Sequence, residues 1–250
     1  MTQGIRSIRT PPVIVGVYRR RNIEHVLRLL EPALAAGWRT AWWALDATSP
    51  QLAAFTVGEG PGEKLPLLNR ILRPLGPTDW TVVSDDDLEF RRGDVVEFVG
   101  MCEQLGLDLA QPARERGTHH VHRITKRARL SRARLTSFVQ DGPLYAVGPR
   151  WRDRLLPPPI ERGMGWGVEI DWFRLYQQGC RLGIVDASPI EHVGRPTVDY
   201  DYTEMNKRMK AELVALGHPR WAGMQETLAV WRPWQRRPSW VEEAGGRLGR

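Results

Sequence analysis

The sequence is poor in cysteine: Cys102 and Cys180 are the only two among 250 residues. Two thiols argue against a disulfide scaffold or a cysteine-based zinc site, and a reducing cytoplasmic setting is the default expectation. No apolar run approaches the roughly 20 residues that a membrane-spanning helix needs. The opening MTQGIRSIRTPP has no apolar h-region, so no secretory signal is expected either. Internal repeats and low-complexity segments are absent. What is present is an ordinary globular composition, 42% hydrophobic and 26% charged. The formal net charge is +7. Such an excess fits an anionic partner, either nucleic acid or a phosphate-bearing small molecule. It fits equally well the arginine-rich usage of a G+C-rich genome.

The pattern along the chain is that of an α/β protein. VIVGVY (Val13–Tyr18) is β-branched and uninterrupted by charge, as in a buried strand. In the next segment Ile23, Val26, Leu27, Leu30 and Leu34 recur at helical spacing, between Asn22 as N-cap and Gly37 as a stop. Pro32 predicts a kink or restart inside that helix. RTAWWALD, residues 39–46, reads as a second strand ending in an acid. Strand, helix and strand with short links imply a right-handed crossover and parallel pairing. A short helix over 65–72, a strand running into DDD, a capped helix over 94–107 and a strand at LDLAQPA follow. PLYAVGP is strand-like, LLPPPI is an extended linker, GMGWGVEIDWFRLYQQG passes from glycine-rich loop to helix, and CRLGIVDASPIEHVGRP is a late strand. Helical periodicity resumes over 204–216, before a C-terminus rich in Trp, Arg and Pro. The expected fold is a single α/β domain with a mostly parallel, Rossmann-like central sheet flanked by helices. A leader (1–10), a first half (11–112), a second half (113–235) and a tail (236–250) divide it.

The sharpest local signal is TVVSDDDLEF, where a strand ends on Asp85, Asp86 and Asp87. Ligands of open α/β sheets sit beyond such carboxyl ends. Alternation would put Asp85 and Asp87 on one side and Asp86 on the other. Two carboxylates in one crevice repel unless a hard cation such as Mg2+ or Mn2+ joins them, with phosphate oxygens and water completing its shell. The competing reading is a solvated acidic turn. A second constellation favours the site. GMGWGVEIDW sets Trp166 between glycines, with Glu169 and Asp171 following at a helix start, and IEHVGRP sets His192 at a strand end. The indole offers a flat face to a sugar, a carboxylate can act as base, and imidazole can ligate metal.

In that order these residues resemble the GT-A glycosyltransferase fold. WTVVSDDDLEF, LAQPA, HRIT, GWGVEIDW and GIVDASPIEHVG more closely resemble a poorly characterised family known from plant proteins labelled as lysine-ketoglutarate reductase trans-splicing related. The resemblance covers residues 81–197. It implies a metal-dependent transferase that moves a sugar from a nucleotide-diphosphate donor to an acceptor hydroxyl, with inversion preferred. Asp85, Asp87 and His192 would hold Mn2+ or Mg2+; Glu169 would be the base, with Asp171 second. The nucleotide would lie over the first half, near Val15, Tyr18, Arg19, Asp46, Lys64, Asn69 and Asp86, with Trp166 as the platform for sugar or acceptor. Alternatives are a metal-dependent nucleotidyl- or phosphotransferase and a basic nucleic-acid-binding protein. The latter lacks any RNP-like, KH or helix-turn-helix pattern. Within the basic stretch 113–134, His119, His120 and His122 read as an acceptor wall or lid, while residues 123–134 could bind phosphate, RNA or a membrane surface or form a solvated helix face. HHxH without cysteines or an HExxH helix is a weak zinc signal.

Overall fold

Strand β1 (Val13–Tyr18) is buried along its whole length because it has parallel neighbours on both sides and helices on both faces. The fold is that of a computed structural model, which describes residues 10–76, 78–118, 120–194 and 203–241. After β1 come helix α1 (Ile23–Ala35), β2 (Arg39–Ala44), β3 (Thr56–Glu59), α2 (Lys64–Leu72), β4 (Thr81–Ser84), β5 (Leu88–Phe90), α3 (Val95–Gln104) and β6 (Leu109–Arg114). The second half adds β7 (Ala133–Thr136), β8 (Leu144–Val147), the single turn α4 (Arg152–Leu155), α5 (Val168–Gln177), β9 (Leu182–His192), α6 (Thr203–Ala215) and β10 (Thr227–Trp231).

The strands form one sheet in the order β10-β7-β9-β6-β8-β4-β1-β2-β3, with β5 pairing on β9. The N-terminal part is parallel from β4 through β1 and β2 to β3, as the strand–helix–strand order implies. The other part is mixed: β8 lies antiparallel between β4 and β6, while β6 and β9 are parallel. Side chains alternate across the sheet with period two. Ile14, Val82 and Ala110 pack on the face that holds α1 and α3, whereas Val13, Val15, Val83 and Leu109 pack on the face that holds α2 and α5. Helices on both faces of a large central sheet make the three-layer α/β architecture.

Helix α1 runs through Pro32 without restarting. The proline strands only the carbonyl of Arg28, an exposed residue that water can serve, and its own carbonyl accepts the Ala36 N–H at 3.0 Å. Asp94 caps α3 by accepting from the N–H groups of Val96 and Glu97. Trp231 and Trp240 are buried in the main core, so the chain after α6 is fastened to the domain up to residue 241. Residues 1–9 of the expected leader and 242–250 of the expected tail lie outside the described residues.

The basic stretch is not a solvated helix face. Arg134 on β7 pairs with Asp186 on β9 at 2.8 and 3.0 Å and donates to the carbonyls of Ile124 and Lys126. Asp186 has no exposed surface and also accepts from the Ala128 N–H and the Ser131 hydroxyl. This ion pair folds the stretch onto the sheet. Arg134→Met leaves the aspartate buried without its cation, and the expected cost is about 3–5 kcal/mol in urea denaturation. A loss below about 1 kcal/mol would mean that the peptide N–H and hydroxyl donors suffice.

Candidate active site

Three acids can follow one another at the end of β4 because each meets a different partner. Asp85 lies 2.8 Å from the Lys64 ammonium, which comes from the start of α2. Asp86 accepts the backbone N–H of Arg19, just past β1, at 2.6 Å. Asp87 meets His192 Nε2 at 2.7 Å, and the register explains why: β5 pairs antiparallel with β9, which sets Leu88 opposite His192. Burial pushes the Asp86 carboxyl up to about 6, against the pull of the Arg19 N–H.

Behind this edge lies a buried charge network that joins the two halves of the chain. The Lys64 side chain is 7% exposed and reaches Asp141 at 3.3 Å as well as Asp85. Burial alone would lower the lysine's pKa, but Asp141 and Asp85 outweigh it and hold the ammonium charged above its usual range. Burial pushes Asp141 up, against the pull of Lys64. The N–H of Asp141 donates to Glu169 Oε1 at 3.1 Å. Glu169 sits in the first turn of α5, and burial together with the nearby Asp141 raises its carboxyl to about 8. One lysine thus serves two carboxylates, and a third, Glu169, is joined to them through the Asp141 backbone and retains a proton near neutrality. The glycines of GMGWG make this packing possible: Gly165 has φ +108°, and a Cβ there would collide with the Asp141 carboxylate.

Arg114, at the end of β6, adds a second buried cation. It is 4% exposed, donates from Nη2 to the Gly142 carbonyl at 3.0 Å, and has no partner for Nε or Nη1 among the described residues. Burial lowers its pKa to about 10, while the fields of Asp85 and Asp87 oppose the drop. A buried guanidinium with two unsatisfied nitrogens close to two carboxylates is costly unless an anion completes it.

The structure joins Asp85 to Lys64 and, through Asp141, to Glu169; at the same strand end Asp87 meets His192 and Asp86 accepts the Arg19 N–H. Trp166 lines a pocket of about 220 Å³ together with Glu169 and Asp141. Asp46 is exposed at the end of β2, where the N–H groups of Arg20 and Ala47 bind its carboxylate. Burial would raise its pKa, but those donors leave it below the ordinary value.

Four expected residues lie elsewhere. Val15 has no exposed surface and belongs to the core, so it cannot line a base or ribose. Tyr18 is equally enclosed; its hydroxyl meets Thr56 Oγ1 and accepts the Ser49 N–H, pinning the loop before β3. Asn69 is buried and donates to the carbonyls of Leu65 and Pro158, which ties α2 to the proline linker. Asp171, two residues beyond Glu169, points to another side of α5, where Arg162 chelates it at 2.9 and 3.0 Å and Arg174 joins at 2.9 Å. Residues two apart on a helix do not share a face. Conversely, the sequence pattern does not single out Asp141, and it marks Arg114 only as part of the basic stretch. Asp141 hides in the turn-like QDGP, and Arg114 opens a run of surface-type charges.

A hard divalent cation needs only one or two protein carboxylates when phosphate oxygens and water complete its shell. Asp87 and His192, already converging on one point, fit that role, with imidazole favouring Mn2+ over Mg2+. Among the described residues no three His, Cys, Asp or Glu side chains gather as a metal cluster, and Asp85 is turned to Lys64. The same holds for zinc at the histidines of the basic stretch, of which His119 lies outside the described residues.

No protein-family model matches the sequence, and no curated protein matches it. Among solved structures the fold is similar to TarS of S. aureus, with a TM-score of 0.53 and 10% identity over 82% of this chain and 40% of that one. It is similar to GalNAc-T7, crystallised with UDP, GalNAc and Mn2+, with a TM-score of 0.54 and 10% identity over 82% and 48% of the two chains. A third neighbour is S. aureus TarS 1-349 in complex with UDP-GlcNAc, with a TM-score of 0.50 and 14% identity over 82% and 66%. The chain spans less than half the length of the first two. At these identities the likeness is one of fold, the GT-A glycosyltransferase architecture. No helix among the described residues is long and apolar enough to cross a membrane.

Proposed function

We propose that the chain is a nucleotide-sugar-dependent glycosyltransferase that moves a sugar from a diphosphate donor to an acceptor hydroxyl with inversion. The observation that carries this reading is the meeting of Glu169, from the second half of the chain, with the acidic strand end of the first half through Lys64 and Asp141. On this reading a base and an anion-binding edge would serve one crevice. The donor would lie over residues 11–112 and the acceptor against 113–235. The five motifs that resemble the plant-labelled family are compatible with this reading.

The residues divide the chemistry between them. Asp46, Asp86 and the Arg19 backbone stand at parallel strand ends, where base and ribose hydroxyls would dock. The free nitrogens of Arg114 would donate to diphosphate oxygens, which satisfies the guanidinium and meets the charge that grows on the leaving group. Asp87 and His192 would hold a divalent cation, which when bound supplies further positive charge to that diphosphate. Glu169, with its raised pKa, would accept the proton of the acceptor hydroxyl as the oxygen attacks the anomeric carbon from the opposite side. One base placed opposite the leaving group suffices for single displacement, hence inversion. Asp171, chelated by two arginines, takes no part.

The expected result is that a nucleoside diphosphate raises the melting temperature by mass action, more in Mn2+ than in EDTA. UDP, GDP and dTDP are the probes. Asp87→Asn should remove the Mn2+-dependent increment while the ligand-free melting temperature stays within about 2 °C, since the site is partly open to water. No response of the wild-type protein to any of the three would overturn the reading.

A further inference from the structure

The pocket beside Glu169 has a chemistry that the donor site does not explain. For a chain of net charge +7 its lining is unusual: none of the described residues that form it is Lys or Arg. Its polar members are Asp141, Glu169, His122 and Gln140, and its apolar walls include Trp166 and Trp221. Burial lowers the His122 pKa to about 4, so the ring is neutral at physiological pH. The Gln225 amide nitrogen, a donor only, lies 2.7 Å from His122 Nδ1, so the ring's single proton sits on Nε2. The ring is held edge-on between Phe138 and Trp221, at centroid distances of 4.8 and 5.3 Å, which fixes the wall. Gln140 is nine-tenths buried, and its Oε1 has no hydrogen-bond partner among the described residues.

These features specify a ligand. A buried amide oxygen without a donor is costly, and a hydroxyl can complete it. Carboxylates and an amide oxygen accept several hydroxyl protons, and the His122 Nε2–H can donate one back. Indole faces suit the apolar side of a pyranose ring. An anionic group would lose its hydration in a pocket with no Lys or Arg among its described lining residues, and the nearby Lys64 ammonium is already held by Asp85 and Asp141. We infer that this pocket is an acceptor subsite for an uncharged pyranose sugar, selecting against phosphorylated and carboxylated ones. The inference rests on the transferase reading for the word acceptor, but its binding chemistry rests on Gln140, His122 and described lining residues that include no Lys or Arg.

The test is binding, so that it does not depend on turnover. Saturation-transfer NMR on the full chain, with UDP and Mn2+ present, would compare methyl glucoside, galactoside, mannoside and N-acetylglucosaminide with glucose 6-phosphate, mannose 6-phosphate and methyl glucuronide. At least one neutral glycoside should bind, and at least about tenfold more tightly than every anionic sugar. Gln140→Leu removes an unsatisfied oxygen, so it should keep or raise the melting temperature while weakening the neutral sugar about fivefold or more. Binding of an anionic sugar as tightly as a neutral one overturns the inference, as does unchanged binding in folded Gln140→Leu. Nucleotide binding with no response to any glycoside overturns it too, while leaving the transferase reading in place. Absence of nucleotide binding strikes that reading instead, and glycoside selectivity would still stand or fall by itself.

Discussion

Glu169→Gln should slow transfer by about 10²–10⁴-fold, the contribution expected of a general base, and it should make the protein more stable in alkali. The two effects share one cause. The carboxyl is buried at the start of α5, beside Asp141, and titrates near 8 rather than at its ordinary 4.5. Below pH 4.5 folded and unfolded states both hold the proton, and the raised pKa has no effect on stability. Between 4.5 and about 8 the unfolded chain releases a proton that the folded chain keeps, so stability falls as pH rises. Above about 8 the folded state carries a buried charge and the full penalty, on the order of a few kcal/mol. Glutamine can still accept the Asp141 N–H and never ionises. Melting curves of the two proteins should therefore nearly coincide at pH 5 and diverge by pH 9, where roughly 2–4 °C per kcal/mol is expected for a chain of this size. The wild-type turnover should rise through the same window, as the base is freed. Parallel melting profiles for variant and wild type at both pH values would show that the carboxylate is not desolvated, and would remove the basis for its role.

The sequence disclosed those parts of the molecule in which period and position coincide. β1, β2, β4 and β6 are apolar runs closed by turns or acids, and each forms a strand where its pattern stops. Glu169 and the DDD run were legible because glycines and like charges in such places need a reason. β3, β5, β7 and β10 were not, being three to five residues long and held by their neighbours rather than by a pattern of their own. β7 carries Arg134 within a run of basic residues, and only the partner Asp186, 52 positions away, turns that charge inward. Arg114 and Asp141 were hidden for the same reason: whether a charge is buried depends on long-range pairing. Val15 and Tyr18 erred the other way, since a strand end that points to a site and one that points to the core look identical in one dimension.

Lys64→Met should be the most damaging substitution in the network, because it withdraws the cation that Asp85 and Asp141 share. Methionine fills similar space, so the loss is one of charge rather than of packing. Removing one partner of a buried pair typically costs about 3–5 kcal/mol, since the remaining charge is left without compensation. For this chain that is a fall of roughly 6–20 °C in melting temperature at neutral pH. The pH dependence identifies the cause. Asp141 is pushed upward by burial even with the lysine present, and without it the carboxyl takes a proton more readily still. Acidification then removes the unpaired charge, so the gap to wild type should narrow towards pH 5 and widen towards pH 8. A cavity or misfolding effect would give a gap independent of pH. The double variant Lys64→Met with Asp141→Asn should recover at least about 1 kcal/mol over the single one, because residues in contact couple by roughly 0.5–3 kcal/mol. Transfer should stay low in both, since Asp85 remains without the ammonium that orients it and the Asp141 backbone that meets Glu169 loses its anchor. A Lys64→Met protein as stable as wild type at pH 8 would mean that water already serves these acids. The acidic strand end would then be a wet turn, and the crevice would lose the dry, charge-balanced floor on which a base with a pKa near 8 depends.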